Sequence, residues 1–220
     1  MPAARARFAA PARLLGIGLA LYLRLVARTS RISGDVTRHP VVLTFWHEYN
    51  LAVFVVAVRV RGDLRHASFS TRGFRGAVID AMLEHSTVPM RILPLPPESD
   101  RAAGRAFALR LGELGEAGWS PIVTPDGPFG PYRVVKPGAL IVARASGLPI
   151  QPWAIELRPL VRLPGRWDRH VIPLPFGRLR VVAGEPIALA GRERLSPRIV
   201  ELQTALDRIT SLADRSSVAD

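Results

Sequence analysis

The chain has 220 residues, 48% apolar and 22% charged, which fits one folded domain with a sizeable core and excludes global disorder. Thirty basic residues against eighteen acidic ones leave a formal charge of +12, pointing to polyanionic partners, either nucleic acid or an anionic membrane surface. Cysteine is absent, so disulfides, thiolate metal sites and a cysteine nucleophile are excluded.

The N-terminus favours the membrane. Leu14–Val26 reads LLGIGLALYLRLV, with Arg5, Arg7 and Arg13 before it and Arg28 and Arg31 after. Only Leu14–Leu23 is free of charge, about half the roughly twenty residues a spanning helix needs. No small-residue cleavage site follows cleanly, so residues 1–32 read as a membrane-associating helix lying in the interface, its arginines reaching the headgroups. The plainer alternative is a helix packed on the domain, and the two readings are compatible.

Val41–Phe45 is a continuous apolar run after a proline and predicts a buried strand. Leu51–Val60 follows as a helix or buried segment. Leu64–Ser70 predicts a strand, Gly76–Glu84 a helix and Met90–Leu95 a strand. Ser99 or Asp100 is positioned to cap a helix over Arg101–Ala117, stopped by Gly118. The pattern then repeats: strand Ser120–Thr124, loop Pro125–Pro131, helix Gly138–Ser146 ended by Gly147, strand Ile150–Ile155. His170–Pro173 and Leu179–Ala183 predict closing strands, and Pro197–Leu212 a last amphipathic helix. Strands alternating with helices predict a single α/β domain over residues 33–213, a mostly parallel sheet flanked by helices, with 214–220 as a disordered tail.

Two polar islands interrupt the apolar pattern. In TFWHEYN (Thr44–Asn50), His47 stands at the C-terminal end of a predicted strand, where α/β sheets gather ligands. A histidine there suits general-base work; a core histidine satisfied by backbone groups is the alternative. No histidines show metal-ligand spacing, and no metal is expected. In TPDGPFGPYRVVKPG (Thr124–Gly138), prolines and glycines force a sharply turned loop with Asp126 at its tip. Arg133 and Lys136 follow within reach of an anionic group, and Arg72 and Arg75 are further candidates to receive phosphate. A rigid turn with Asp126 bonding its own backbone is the alternative.

FWHE and TPDGPFGPYRVVKPG, followed by ARASGLPIQPWAIE and WDRHVIPLPFGRLRVVAGEPI, resemble the bacterial lysophospholipid-acyltransferase-like proteins, a PlsC-related branch of the glycerolipid acyltransferase superfamily. The resemblance covers about Leu15 to Ile187. It implies a glycerolipid-acyltransferase-like fold and puts His47 in the catalytic position. Thr124, Pro125, Asp126, Gly127 and Pro128 fall in the acceptor block, while Pro149, Ile150 and Pro152 match the block that supports the site. With Trp46, Glu48, Arg72, Arg133 and Lys136 they make up the expected substrate-binding set. Five positions after His47 stands Ala52, where the superfamily carries an acid, and Ser70–Ala77 lacks the His, Asp and Glu common in this branch. Neighbouring residues on a strand point to opposite faces, so Glu48 is a poor partner for the imidazole, and Asp126 is the expected acid.

The resemblance implies direct acyl transfer from a thioester, acyl-CoA or acyl-carrier protein, to a hydroxyl of a lysophospholipid or related lipid. No cofactor is expected to be bound. The expected location is the cytoplasmic face of the inner membrane, with an anionic lipid surface as partner. A non-catalytic anionic-lipid-binding protein of the same fold is the alternative. A nucleic-acid partner is not expected, since no recognition motif accompanies the charge.

Overall fold

Two short neighbouring parallel strands lie in the interior of the sheet, covered on both faces. A computed structural model describes residues 3–37, 39–60, 64–71, 73–96, 101–191 and 193–216; Ser99 and Asp100, the expected caps, lie outside them. Strands β2 (Val42–Thr44) and β5 (Ser120–Val123) are buried along their whole length, as strands covered on both sides must be. With β1 (Arg31–Gly34), β3 (His66–Ser70), β4 (Met90–Pro94), β6 (Ile150–Arg162) and β7 (Val171–Ala183) they make one sheet of order β1-β7-β6-β2-β5-β3-β4. Of the pairings between these seven strands, β6–β7 is antiparallel and the others are parallel. The expected α/β domain with a mostly parallel sheet is present.

Helices α2 (Asn50–Val60), α3 (Phe74–Glu84), α4 (Arg101–Glu116), α5 (Gly138–Ser146) and α6 (Leu195–Ser216) flank this sheet. Leu51–Val60, which periodicity left open, is helical because Val53, Val55 and Val56 bury their side chains in the core. Gly147 closes α5 in the left-handed region, at φ 68°, the usual way to stop a helix without steric cost.

Three boundaries move. The late strands are longer than expected: β6 and β7 are both 13 residues, and the two predicted closing runs belong to one strand. They pair as a long hairpin with a register shift between Arg158 and Leu160. Strand β1 was not foreseen; it pairs with β7, Ile32 opposite Leu179, so a boundary at residue 33 cuts through a strand. Helix α6 reaches Ser216, so 214–216 belong to it and not to a tail.

Helix α1 (Ala3–Thr29) runs 27 residues, well past its charge-free stretch. Its segment Ala10–Thr29 is long and apolar enough to cross or anchor in a membrane, which revises the expectation of a helix too short to span. The helix also packs on the domain, burying Ala12, Ala20, Leu23 and Val26. At the crossing, a Cβ on Gly16 would lie 2.5 Å from the carbonyl oxygen of Val78 in α3, so only glycine admits so close an approach. The opposite stripe is left outward: Leu14 is 71% exposed, Leu21 58% and Leu25 48%.

Candidate active site

The chain leaves the sheet after β2 and turns at once into a 3-10 helix, His47–Tyr49, leading into α2. Trp46, still extended, sends its side chain into the core, where the indole N–H donates to Thr210 Oγ1 at 3.1 Å. Trp46 is fully buried and is therefore a packing residue, which corrects its expected place against substrate. His47 is the first residue of the turn, its side chain 16% exposed.

Asp126 does not meet the imidazole. Its buried carboxylate accepts the backbone N–H of His47 at 3.1 Å, capping the turn that carries the histidine, as an acid at a helix start does. Burial pushes the Asp126 carboxyl up to about 6, against the opposing hydrogen bonds. The expected acid is thus a positioning residue acting on the backbone.

The imidazole's acid is Asp168, supplied by the turn at the tip of the β6–β7 hairpin. His47 Nδ1 lies 2.8 Å from Asp168 Oδ2, and Asp168 is fully buried. Arg166 donates to both its oxygens, Nε to Oδ1 at 2.8 Å and a terminal N–H to Oδ2 at 2.7 Å. His170 Nδ1 lies 3.2 Å from Oδ2. Burial favours the neutral acid, but hydrogen bonds from His47 and Arg166 and the neighbouring cationic charge outweigh it, holding the carboxyl well below the usual range. Burial in turn pushes His170 down to about 4, so its ring is neutral near pH 7.

Sequence reasoning missed Asp168 because 121 positions separate it from His47, and it placed His170 only in a closing strand. The signal was present in GRWDRH (Gly165–His170), a turn packed with acid, base and arginine. The overhanging hairpin carries this turn back over the strand end. Gly130 fixes it there: a Cβ would lie 2.7 Å from the Trp167 ring, and φ is +78°. Trp167 packs between the two loops, its ring centroid 5.3 Å from that of His47.

Glu48 is fully buried and faces away from the imidazole. It accepts from Arg133 Nε at 2.6 Å, from the Tyr132 hydroxyl at 3.2 Å and from Arg162. Arg133 also pairs with Asp214 of α6 at 3.5 Å. Burial works against the Arg133 charge, but the Glu48 hydrogen bond and charge outweigh it and raise its pKa. Glu48 and Arg133, both expected against substrate, instead lock the Tyr132–Arg133 segment to the hairpin and to α6.

An apolar pocket of about 400 Å³ opens at His47. It runs between the sheet, α1, α2 and α3, past Leu19, Phe54, Phe69 and Met82. Thr124 and Pro128 line its mouth with Arg75, Arg166 and His170. Pro125 shapes the loop by accepting the Lys136 backbone N–H at 2.8 Å. Lys136 lies along Gly127, where a Cβ would be 3.5 Å from its Nζ. Arg72 lies outside the described residues.

Among the described residues, His47, Asp168 and His170 also bring three donor atoms within 4.8 Å of one another, close enough to hold a metal ion. The 2.8 Å His47–Asp168 separation is a hydrogen bond, shorter than the roughly 3.3 Å between two ligands on a tetrahedral ion. The cluster is arranged to hold and move a proton.

No family model matches the chain. A protein of Rickettsia prowazekii (strain Madrid E), described as uncharacterised, is 37% identical over 79 residues, which span 36% of this chain and 35% of that one. The chain thus matches about a third of the length of this curated relative. Among solved structures, the 1-acyl-sn-glycerophosphate (LPA) acyltransferase PlsC from Thermotoga maritima is similar at a TM-score of 0.49 and 16% identity, over 88% of this chain and 79% of that one.

Proposed function

We propose that this chain transfers a fatty acyl group from a thioester, acyl-CoA or acyl-carrier protein, to a hydroxyl of a lysophospholipid or related lipid acceptor. The supporting observation is a histidine oriented by a buried carboxylate at the mouth of an apolar pocket. The family resemblance of the His47 and Thr124–Gly138 blocks supplies the reaction class.

His47 donates Nδ1–H to Asp168, which leaves Nε2 to accept a proton. The acceptor hydroxyl gives that proton to Nε2 as its oxygen bonds to the thioester carbonyl carbon. Collapse breaks the carbon–sulfur bond, and the departing thiolate takes the proton from Nε2. Asp168 stabilises the imidazolium between the two transfers, a contribution of about 10²–10⁴-fold for a positioned base. The apolar pocket accommodates the acyl chain, and Arg75 and Arg166 at its mouth suit an acceptor phosphate.

The proposed setting is the cytoplasmic face of the inner membrane. The outward leucines of α1 offer an apolar stripe for the bilayer, while Arg13, Arg24 and Arg28 suit anionic headgroups. The pocket opens beside this helix, since Leu15 and Leu19 line it.

The test is thiol release from palmitoyl-CoA and from palmitoyl-acyl-carrier protein by the purified chain on vesicles carrying a panel of lysophospholipids, with the acylated product identified by mass spectrometry. Transfer to at least one lysolipid, abolished in a folded His47→Ala variant, is the expected result. Transfer to none with either donor, or wild-type turnover in His47→Ala, overturns the proposal.

A further inference from the structure

The β6–β7 hairpin is irregular at one place. Arg158 pairs with Arg178 and Leu160 with Pro173, so between these pairs β6 spends Pro159 alone while β7 spends Leu174, Pro175, Phe176 and Gly177. The surplus forms a bulge, a device that re-aims a side chain. Here it turns Phe176 to solvent, 82% exposed, on backbone at φ 61°. A bulky side chain avoids that left-handed region. Gly177 lets the bulge close against β6, since a Cβ there would lie 2.7 Å from the carbonyl oxygen of Arg158.

The bulge is tied to the end of α1. The Tyr22 hydroxyl donates to the Pro173 carbonyl oxygen at 2.8 Å, and Ser30 Oγ to that of Leu174 at 3.2 Å. The backbone N–H of Phe176 itself donates to Thr29 Oγ1 at 3.1 Å. Leu21, Leu25 and Thr29 follow one another at four-residue spacing on one helix face, so the outward leucine stripe leads to the residue that holds Phe176. A lone exposed apolar side chain is ordinary. One held outward on strained backbone, at the end of a stripe on a helix apolar enough to enter a membrane, extends that stripe.

Cations flank the bulge. Register puts Arg31 of β1, Arg178 of β7 and Arg158 of β6 directly opposite one another in one row. Like charges so placed repel. Glu156, in the neighbouring row, pairs with Arg158 at 3.3 Å and with Arg180 at 2.7 Å. Arg31 and Arg178 are exposed and have no carboxylate partner among the described residues. Arg31 follows Thr29 by two residues and Arg178 follows Phe176 by two, so both stand beside the tether. An anion from outside would offset the repulsion in the row. An aromatic side chain ringed by arginines is what the interface of an anionic bilayer takes.

We propose that the Leu174–Gly177 bulge is a second membrane contact, with Phe176 entering the interfacial layer of an anionic bilayer and Arg31 and Arg178 taking lipid phosphates. The inference rests on the membrane setting proposed for α1 and is read without any acyl transfer. Helix and hairpin then meet the bilayer as one unit, joined by the three hydrogen bonds from Tyr22, Ser30 and Phe176.

The chain has no cysteine, so Phe176→Cys offers a single point for an environment-sensitive fluorophore, and Val200→Cys on the exposed face of α6 a control. On vesicles of phosphatidylglycerol and phosphatidylcholine, the probe at 176 should shift to the blue and be quenched by lipid-borne quencher, and the probe at 200 should not. Phe176→Gly should weaken vesicle cosedimentation about tenfold while keeping the fold, since glycine is at ease at this φ. Arg31→Gln with Arg178→Gln should cost about thirtyfold, roughly fivefold per arginine, and nothing on phosphatidylcholine alone. Failure of the intact chain to bind any vesicle overturns the membrane setting and the bulge contact together. Binding with a response at 176 no greater than at 200, or with full affinity in either variant, overturns the bulge contact alone. Acyl-carrier protein shielding the 176 probe where vesicles do not assigns the face to an acidic protein and likewise overturns it.

Discussion

Asp168→Asn is the sharpest probe of the candidate site, because it keeps the side chain's shape and removes only the charge. The ring of His47 then faces an amide 2.8 Å from Nδ1. An amide N–H donated to Nδ1 favours the tautomer with the proton on Nε2, where the acceptor hydroxyl must deliver its own. The imidazolium also loses its buried counter-charge. A fall of about 10²–10⁴-fold in kcat follows, or about 3–5 kcal/mol of transition-state stabilisation. KM should change little, because Asp168 is fully buried behind His47, Arg166 and His170. Folding should suffer less than the roughly 3–5 kcal/mol of a broken buried pair, since the Arg166 side chain is 34% exposed and water can take over part of its solvation. The assay is thiol release from palmitoyl-CoA at saturating acceptor, with a thermal melt as the folding control. Turnover of Asp168→Asn within threefold of wild type would refute the dyad. So would a hundredfold loss in Glu48→Gln at unchanged stability.

Asp126→Asn keeps an oxygen for the His47 N–H and should alter stability with pH. The folded pKa of about 6 lies above the ordinary aspartate value of 3.8, so Asp126 favours folding at low pH and loses that contribution as pH rises through 6. The variant should therefore gain on the order of 2–3 kcal/mol over wild type above pH 7 and nothing below about pH 4; a Tm difference constant across that range counts against the burial argument. Gly130→Ala should push Trp167 aside and lower Tm by several degrees, the scale of a 1–3 kcal/mol backbone strain. It should also cut kcat, and an unchanged indole emission spectrum would show that Trp167 had not moved. Leu21→Asp with Leu25→Asp, both on the outward stripe of α1, should weaken cosedimentation with anionic vesicles at least about tenfold. Undiminished binding would assign the membrane contact to another face.

The centre of the fold was legible because it obeys local rules. Val41–Phe45 and Ser120–Thr124 are apolar runs bounded by turn residues, and Gly118 and Gly147 mark helix ends that the structure keeps. Strand β1 was not legible, since four edge residues alternating with nothing buried carry no periodic signal. The loop Pro125–Pro131 was located correctly, yet whether Asp126 would meet a ring or a backbone N–H depends on where the next chain turns. Glu48 avoids the imidazole as expected, but for another reason: the strand has ended at Thr44, and the turn aims Glu48 into a buried cluster of Arg133, Arg162 and Tyr132. Asp168 escaped because the long hairpin that delivers it is a tertiary arrangement. The five residues between the two predicted closing strands, Leu174–Arg178, are continuous strand.

The separation of base from acid along the chain has a consequence for how the protein is made. Helix α1 leaves the ribosome ahead of His47, but the carboxylate that pairs with the histidine follows 121 residues later, roughly 6–24 s at ordinary rates of synthesis. In the proposed membrane setting, α1 can thus settle on a bilayer while the His47 ring is still without its partner. Any product that terminates before the hairpin holds the first walls of the apolar pocket and His47 without the carboxylate that orients its ring.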